Sequence, residues 1–250
     1  MTAGEVPVLE TLRSRGFDVE VRNHAAAILS VDFPEETAEL VETLSEFSIE
    51  LSELIAGGGG ESGQTQRLRR ALAARGWAKH NFLVQTIVDG VEREAISHEI
   101  DHVRRGGAGR LALEIEWNNK DPFFDRDLEN FQRLHAQSAI SLGIVVTRGS
   151  SLQDRMLPRI RGWLEAQGLQ SEEDLQRLGI GDRTSKQRAA VEAQVAKGVS
   201  FPEAFARKFV GDKFGTATTH WSKLDERVRR GVGNPCPLVL IGLPDAILSG

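Results

Sequence analysis

The chain has 250 residues, 40% of them apolar and 27% charged, with one cysteine, Cys236, and a net charge of −5. That is the composition of a folded globular chain, and it excludes a collagen-like or extensively disordered polypeptide, a disulfide framework and a multi-thiolate zinc cluster. It also argues against a protein that coats nucleic acid by bulk charge, but the average hides an asymmetry: residues 1–60 carry three basic and twelve acidic side chains, so the positive excess lies beyond them.

In chain order, residues 17–21 (FDVEV) alternate apolar and charged, as a half-buried strand does. Residues 25–31 fit a second strand or a turn of helix. Asp32-Phe33-Pro34 reads as a helix start with Asp32 as its cap, and Leu40, Leu44, Phe47, Leu51 and Leu54 recur at helical spacing. Glu39, Glu42, Glu46, Glu50 and Glu53 occupy the other faces, giving either a solvated acidic side or a docking face. Four glycines at 57–60 read as a hinge, because no Gly-Lys-Ser or Gly-Lys-Thr follows to make a phosphate-binding loop. Residues 65–75 form a basic amphipathic helix with Arg67, Arg69, Arg70 and Arg75.

A β-meander follows. Residues 82–88 and 91–96 flank Asp89-Gly90, a hairpin signal. Residues 100–103 pair with 111–117 across a Gly-rich turn. Asp121-Pro122 opens a helix to about 137, and the apolar run 140–147 is a buried strand. Residues 151–210 are mostly helical, with breaks near Gly168, 179–181 and Gly198, and read as an insertion within a single domain over 1–250 whose first 60 residues form an acidic segment. Residues 238–243 are a last strand. Trp77, Trp117, Trp163 and Trp221 are expected in the core. No stretch reaches the ~20 apolar residues of a membrane span, and the first ten residues lack the pattern of a secretory signal, so a cytoplasmic protein with no membrane partner is expected.

The chemistry concentrates at Ile100-Asp101-His102 and Leu111–Trp117. Strand side chains alternate, so Glu114 and Glu116 share one face while Leu113, Ile115 and Trp117 take the other. Hairpin pairing brings Asp101 beside the two glutamates. Three carboxylates converging on one sheet edge call for a cation, and an all-oxygen set suits Mg²⁺, Mn²⁺ or Ca²⁺. Acid-x-acid pairs are common on exposed strands, so the pair alone is a weak signal. His98 and His102 also lie near Asp101, but a regular strand puts them on the face of Ile100 and Asp101 on the other, which disfavours zinc.

The stretch LEIEWNNKDPFFDRDL (113–128) resembles the catalytic strand and following helix of type II restriction endonucleases of the BglII/BstYI group. TTHWSKL (218–224) and GVGNPCPL (231–238) resemble the same group; the likeness is weak or absent over 1–55 and 151–210. It implies a PD-(D/E)xK fold, α/β of the α+β type, with a central mixed sheet flanked by helices. By that resemblance Asp101 and Glu114 bind metal. Glu116 stands where the fold usually has lysine, leaving open whether it acts as general base or only positions water. Ile100 replaces the nominal proline. This fold often recruits a further acid from an upstream helix, for which Glu61 is the candidate.

The resemblance also places Asn118, Asn119 and Lys120 at the major groove, where asparagine pairs with adenine N6 and N7; a turn or helix cap is the alternative. Thr218, Thr219, His220, Lys223 and Arg227 would supply a second half of the recognition surface, within a segment, 207–235, of seven basic and three acidic residues. The implied protein is a homodimer dependent on Mg²⁺, with Mn²⁺ as its substitute, and has residues 123–137 at the dimer interface. It would cut palindromic double-stranded DNA, with GATC-centred sites and 5′-phosphate ends favoured by the group, beside a cognate DNA methyltransferase. Two other readings stay open: a repair or nicking nuclease of the same fold, and a DNA-binding module that does not cut.

Overall fold

The computed structural model describes residues 7–56, 63–181 and 183–250. The chain opens with helix α1 (Pro7–Ser14), strand β1 (Asp18–Arg22) and helices α2 (Ala25–Val31) and α3 (Pro34–Glu46). Next come a two-residue strand β2 (Ile49–Glu50) and helices α4 (Leu51–Ala56) and α5 (Gly63–Ala74). Strands β3 (Ala78–Val88), β4 (Val91–Gly106) and β5 (Gly109–Glu116) form the meander, followed by α6 (Phe123–Ala136) and β6 (Leu142–Arg148). Helices α7 (Ser150–Ala166), α8 (Glu172–Arg177), α9 (Ser185–Val195), α10 (Phe201–Lys213) and α11 (Trp221–Arg229) lead to β7 (Leu238–Leu243) and β8 (Leu248–Ser249).

The central sheet has six strands in the order β1-β7-β6-β5-β4-β3. β5, β6 and β7 run parallel, while β1, β4 and β3 pair antiparallel with their neighbours. The sheet is therefore mixed and flanked by helices, as the sequence implied. β6 and β7 are buried on both faces, the usual place of continuous apolar strands. One face carries Leu113, Ile144 and Ile241 and packs against α1–α5 and α7–α10. The other carries Ala112, Val145 and Leu240 and packs against Phe124, Leu128 and Phe131 of α6 and Leu224 and Val228 of α11. Gly143 lets α6 lie close on β6, since a Cβ there would meet the Phe131 ring at 2.3 Å. Trp77, Trp117 and Trp163 are buried and Trp221 is half-buried.

Three local expectations need correction. The long helix from residue 32 is two helices. Phe47 turns extended and Ile49 pairs with Leu248 across nearly the whole chain, so a tertiary strand contact interrupts the helical periodicity. Asp32 ends α2, and Phe33 stands at the start of α3 with Pro34 at its first turn. Residues 25–31 resolve as helix. The third correction concerns His98 and His102. Residues 78–80 of β3 face residues 100–103 of β4, so β4 holds one extra residue there. His98 stays on the face of Ile100 and meets Asn130 of α6, Nδ1 to Oδ1 2.9 Å, while the bulge turns His102 to stand opposite Leu113 on the far face. The glycine run 57–60 lies outside the described residues.

The acidic side of α3 is partly neutralised within the fold. Arg104 donates to both oxygens of Glu39, at 2.9 and 2.8 Å, and holds that carboxyl below the usual carboxylate range. Arg75 pairs with Glu42 at 2.6 Å, and Arg67 pairs with Glu53 of α4. Among the described residues, no helix is long and apolar enough to cross a membrane.

Candidate active site and DNA interface

The period-two pattern of β5 holds: Ala112, Glu114 and Glu116 face α6. Glu114 is 4% exposed and Glu116 3%. Asp101 is exposed and lies within electrostatic reach of Glu114, adjoining the β4 bulge, and its backbone N–H donates to the Glu114 carboxyl. A bulge beside an active strand re-aims one side chain while the ladder continues; here the ladder resumes at His102 opposite Leu113.

A fourth acid completes the cluster. Asp127 of α6 is 1% exposed and lies against Glu116, close enough for the two carboxyls to perturb each other. The sequence reading did not single it out. Its visible signal is position: residues 124, 127, 128, 131 and 134 make the buried stripe of α6, so Asp127 is an acid on an inward-facing stripe. Arg126 donates from Nε and Nη2 to Asp127 Oδ1, at 2.9 and 2.8 Å, and lies 3.6 Å from Glu116 Oε1. Asn119 Nδ2 donates to Glu116 Oε2 at 2.8 Å.

Three buried carboxyls beside one guanidinium cannot all stay ionised. Burial, then Asp127 and Asp101, push Glu114 up to about 9. Burial and Asp127 raise Glu116 to about 8, against the lowering effect of Asn119 and Arg126. Asp127 is raised as well, chiefly by burial. Asp127 Oδ2 is buried with no hydrogen-bond partner. An all-oxygen donor set with an orphaned oxygen and excess buried negative charge fits a hard divalent cation by its chemistry. In this conformation, among the described residues, no three His, Cys, Asp or Glu side chains are gathered round one point as a metal site. Glu61 lies outside the described residues.

Beyond Glu116 the strand exits at Trp117, and Asn118, Asn119 and Lys120 are exposed. The 214–220 segment runs alongside. Lys120 and Thr218 form an antiparallel bridge, Thr219 N donates to Asn119 O at 2.8 Å, and Asp121 N donates to Ala217 O at 3.1 Å. The two segments singled out as recognition elements, about a hundred residues apart in sequence, are thus one short ribbon next to the carboxylates. Within it Thr218 is half-buried, Thr219 is fully buried with an unpartnered hydroxyl, and His220 is 7% exposed, its imidazole acidified by burial and Arg148. Lys223 is half-buried and 3.8 Å from Asp121. Arg227 is buried and donates to Asp125 at 2.8 Å, with Asp121 at 3.5 Å, so it ties α11 to α6 and is not presented to solvent. Other bases of 207–235 also hold neighbours: Lys208 with Asp212, Arg229 with Asp225, Arg230 with Glu226.

The family model described as restriction endonuclease BglII/BglIII matches residues 17–243. The chain belongs to the BglII/BglIII restriction endonuclease family. As a member it is a type II site-specific deoxyribonuclease, a hydrolase whose substrate is DNA. The match spans the sheet from β1 to β7 and includes both the carboxylate cluster and the ribbon. No curated protein matches the chain.

Proposed function

We propose that this family member cleaves both strands of a palindromic DNA site with Mg²⁺, leaving 5′-phosphate ends, and that Asp101, Glu114 and Glu116 carry the reaction with Asp127 beside them. The observation that supports this most is the convergence of these acids at the end of β5, directly against the ribbon bearing Asn118, Asn119 and Lys120. Asp101 and Glu114 would hold the cation. When bound, it neutralises charge on the scissile phosphate and acidifies a water. Asn119 holds one oxygen of Glu116 and Arg126 lies 3.6 Å from the other, so this carboxyl would be aimed to orient that water or to take its proton. Arg126 neutralises part of the charge on Glu116 and Asp127 from the solvent side. Asn119 and Lys120 would reach base edges and phosphates, with Thr218 and Lys223 bordering the same groove.

A homodimer follows from the chemistry, since one such site cuts one strand and two-fold symmetry matches a palindrome. The outward residues of α6, including Glu129 and Arg133, are the proposed contact between copies. A host carrying this activity would protect its own sites with a DNA methyltransferase. The test is Glu114→Ala: cleavage of cognate DNA in Mg²⁺ should disappear while site-specific binding in Ca²⁺ persists. Cleavage at the wild-type rate would remove Glu114 from the chemistry.

A further inference from the structure

Arg148, the last residue of β6, is 0% exposed. Its Nε donates to Trp117 O at 2.8 Å, at the exit of the catalytic strand. Its Nη1 donates to the Gln153 side chain of α7 and to Phe214 O. Its Nη2 donates to Thr218 Oγ1 and Thr219 O, both at 2.6 Å. The guanidinium carbon lies 5.0 Å from the Phe214 ring centre. Among the described residues no carboxylate pairs with it; its partners are carbonyls, an amide oxygen and a hydroxyl.

A guanidinium buried without a counter-charge is costly, and apolar residues fill such a place at lower cost when only packing is needed. What arginine adds is a planar fork that fixes several acceptors in one geometry, which lysine's single ammonium cannot do. Here the acceptors belong to two segments, the strand exit after Glu116 and the 214–219 loop. Thr147, the preceding residue, donates to Glu116 O at 2.7 Å, so consecutive residues of β6 grip consecutive carbonyls of the catalytic strand.

We propose that Arg148 is a positioning residue that locks the 214–220 recognition loop to the exit of the catalytic strand, so that seating the loop on the base pairs and placing Glu116 are one event. This rests on the nuclease reading above. Neither the sequence motifs nor the acid cluster assigns Arg148 a role.

The test uses full-length Arg148→Lys and Gln153→Met; the second removes one side of the clamp without touching the charge. Amide exchange of Thr219 and Asp121, melting temperature and cleavage at cognate against one-base-pair-altered sites are measured for each. Arg148→Lys should speed exchange at both amides by about tenfold or more and narrow cognate discrimination by about tenfold, with the single-turnover rate on bound DNA reduced. Gln153→Met should shift both in the same direction by less. A lower melting temperature with exchange and discrimination unchanged overturns the proposal, leaving Arg148 a packing residue. If Arg148→Lys does not fold, wild-type exchange and discrimination in Gln153→Met overturn it equally. If the wild-type protein cuts no DNA, the nuclease reading fails, and the exchange data alone decide whether Arg148 joins the two segments.

Discussion

Replacing Glu114 with glutamine should abolish cleavage and at the same time stabilise the metal-free fold at alkaline pH. Glu114 is held at about 9 in the folded chain against an ordinary 4.5. Between those values the folded state keeps a proton that the unfolded chain has released. Stability therefore falls as pH rises through this window, by at most about 1.4 kcal/mol per pH unit. At pH 8 the ceiling is about 5 kcal/mol by that slope; the part-exposed Arg126 guanidinium beside the acids offsets part of this and brings the expected cost to about 1–3 kcal/mol. Glutamine keeps the shape and removes the titration. For a chain of this length the gain corresponds to roughly 3–10 °C in melting temperature. The assay is thermal unfolding in a chelator, at fixed salt, at about pH 5, 6.5 and 8, a span chosen to cover the linkage window. The two proteins should melt together at the acid end and separate as pH rises, with Mg²⁺ narrowing the gap by stabilising the wild type. Parallel curves at every pH, or a glutamine variant less stable at pH 8, would refute the reasoning.

Asp127→Asn should lower the single-turnover cleavage rate by about 100-fold or more, the scale of a lost transition-state contact, and weaken Mg²⁺ binding measured by calorimetry; an unchanged rate and affinity would make Asp127 a bystander. Asn119→Ala should slow cleavage at every site, because Glu116 loses its amide partner, and should also cost about 1–3 kcal/mol of discrimination at one base-pair position, read by binding in Ca²⁺ to a library of singly altered sites; unchanged relative affinities across the library would contradict a base contact. Lys223→Ala should weaken binding evenly across sequences and reduce the salt slope of log K by about 1, measured by titration in Ca²⁺ across ionic strength.

The strand proposed as catalytic was legible because its information is local. Glu114 and Glu116 alternate with apolar residues, and a strand of period two can put them only on one face. Asp101 was legible as the acid on the adjacent hairpin arm, but its aim was not, because the bulge in β4 is visible only in its pairing with β3. The bulge also defeated the face assignment of His102, while His98 kept the face of Ile100. Asp127 was missed because, two residues from Asp125 in the first turns of α6, it resembles an ordinary helix-start acid; burial alone separates the two. The same holds for Arg148, where an apolar run ends in a charge with nothing nearby in sequence to say what it holds. Nor could local pattern show that 217–219 lies alongside 119–121, or that Ile49 meets Leu248 and divides α3 from α4. The charge asymmetry of the sequence acquires a physical meaning in the fold. Glu39 and Glu42 are held by Arg104 and Arg75, so part of the N-terminal acidity is cancelled internally. The basic stretch 207–235 is largely paired too, and the exposed ribbon 118–120 is the sharper candidate for DNA contact than net charge alone suggested.

The most direct test of the central claim is digestion of a long DNA of known sequence by the purified protein with Mg²⁺, followed by sequencing of the ends. The account predicts discrete fragments, every end falling at one palindromic sequence and carrying a 5′-phosphate, with no cleavage in chelator. Ends scattered over unrelated sequences, nicks in one strand alone, or intact DNA in both Mg²⁺ and Mn²⁺ would contradict it.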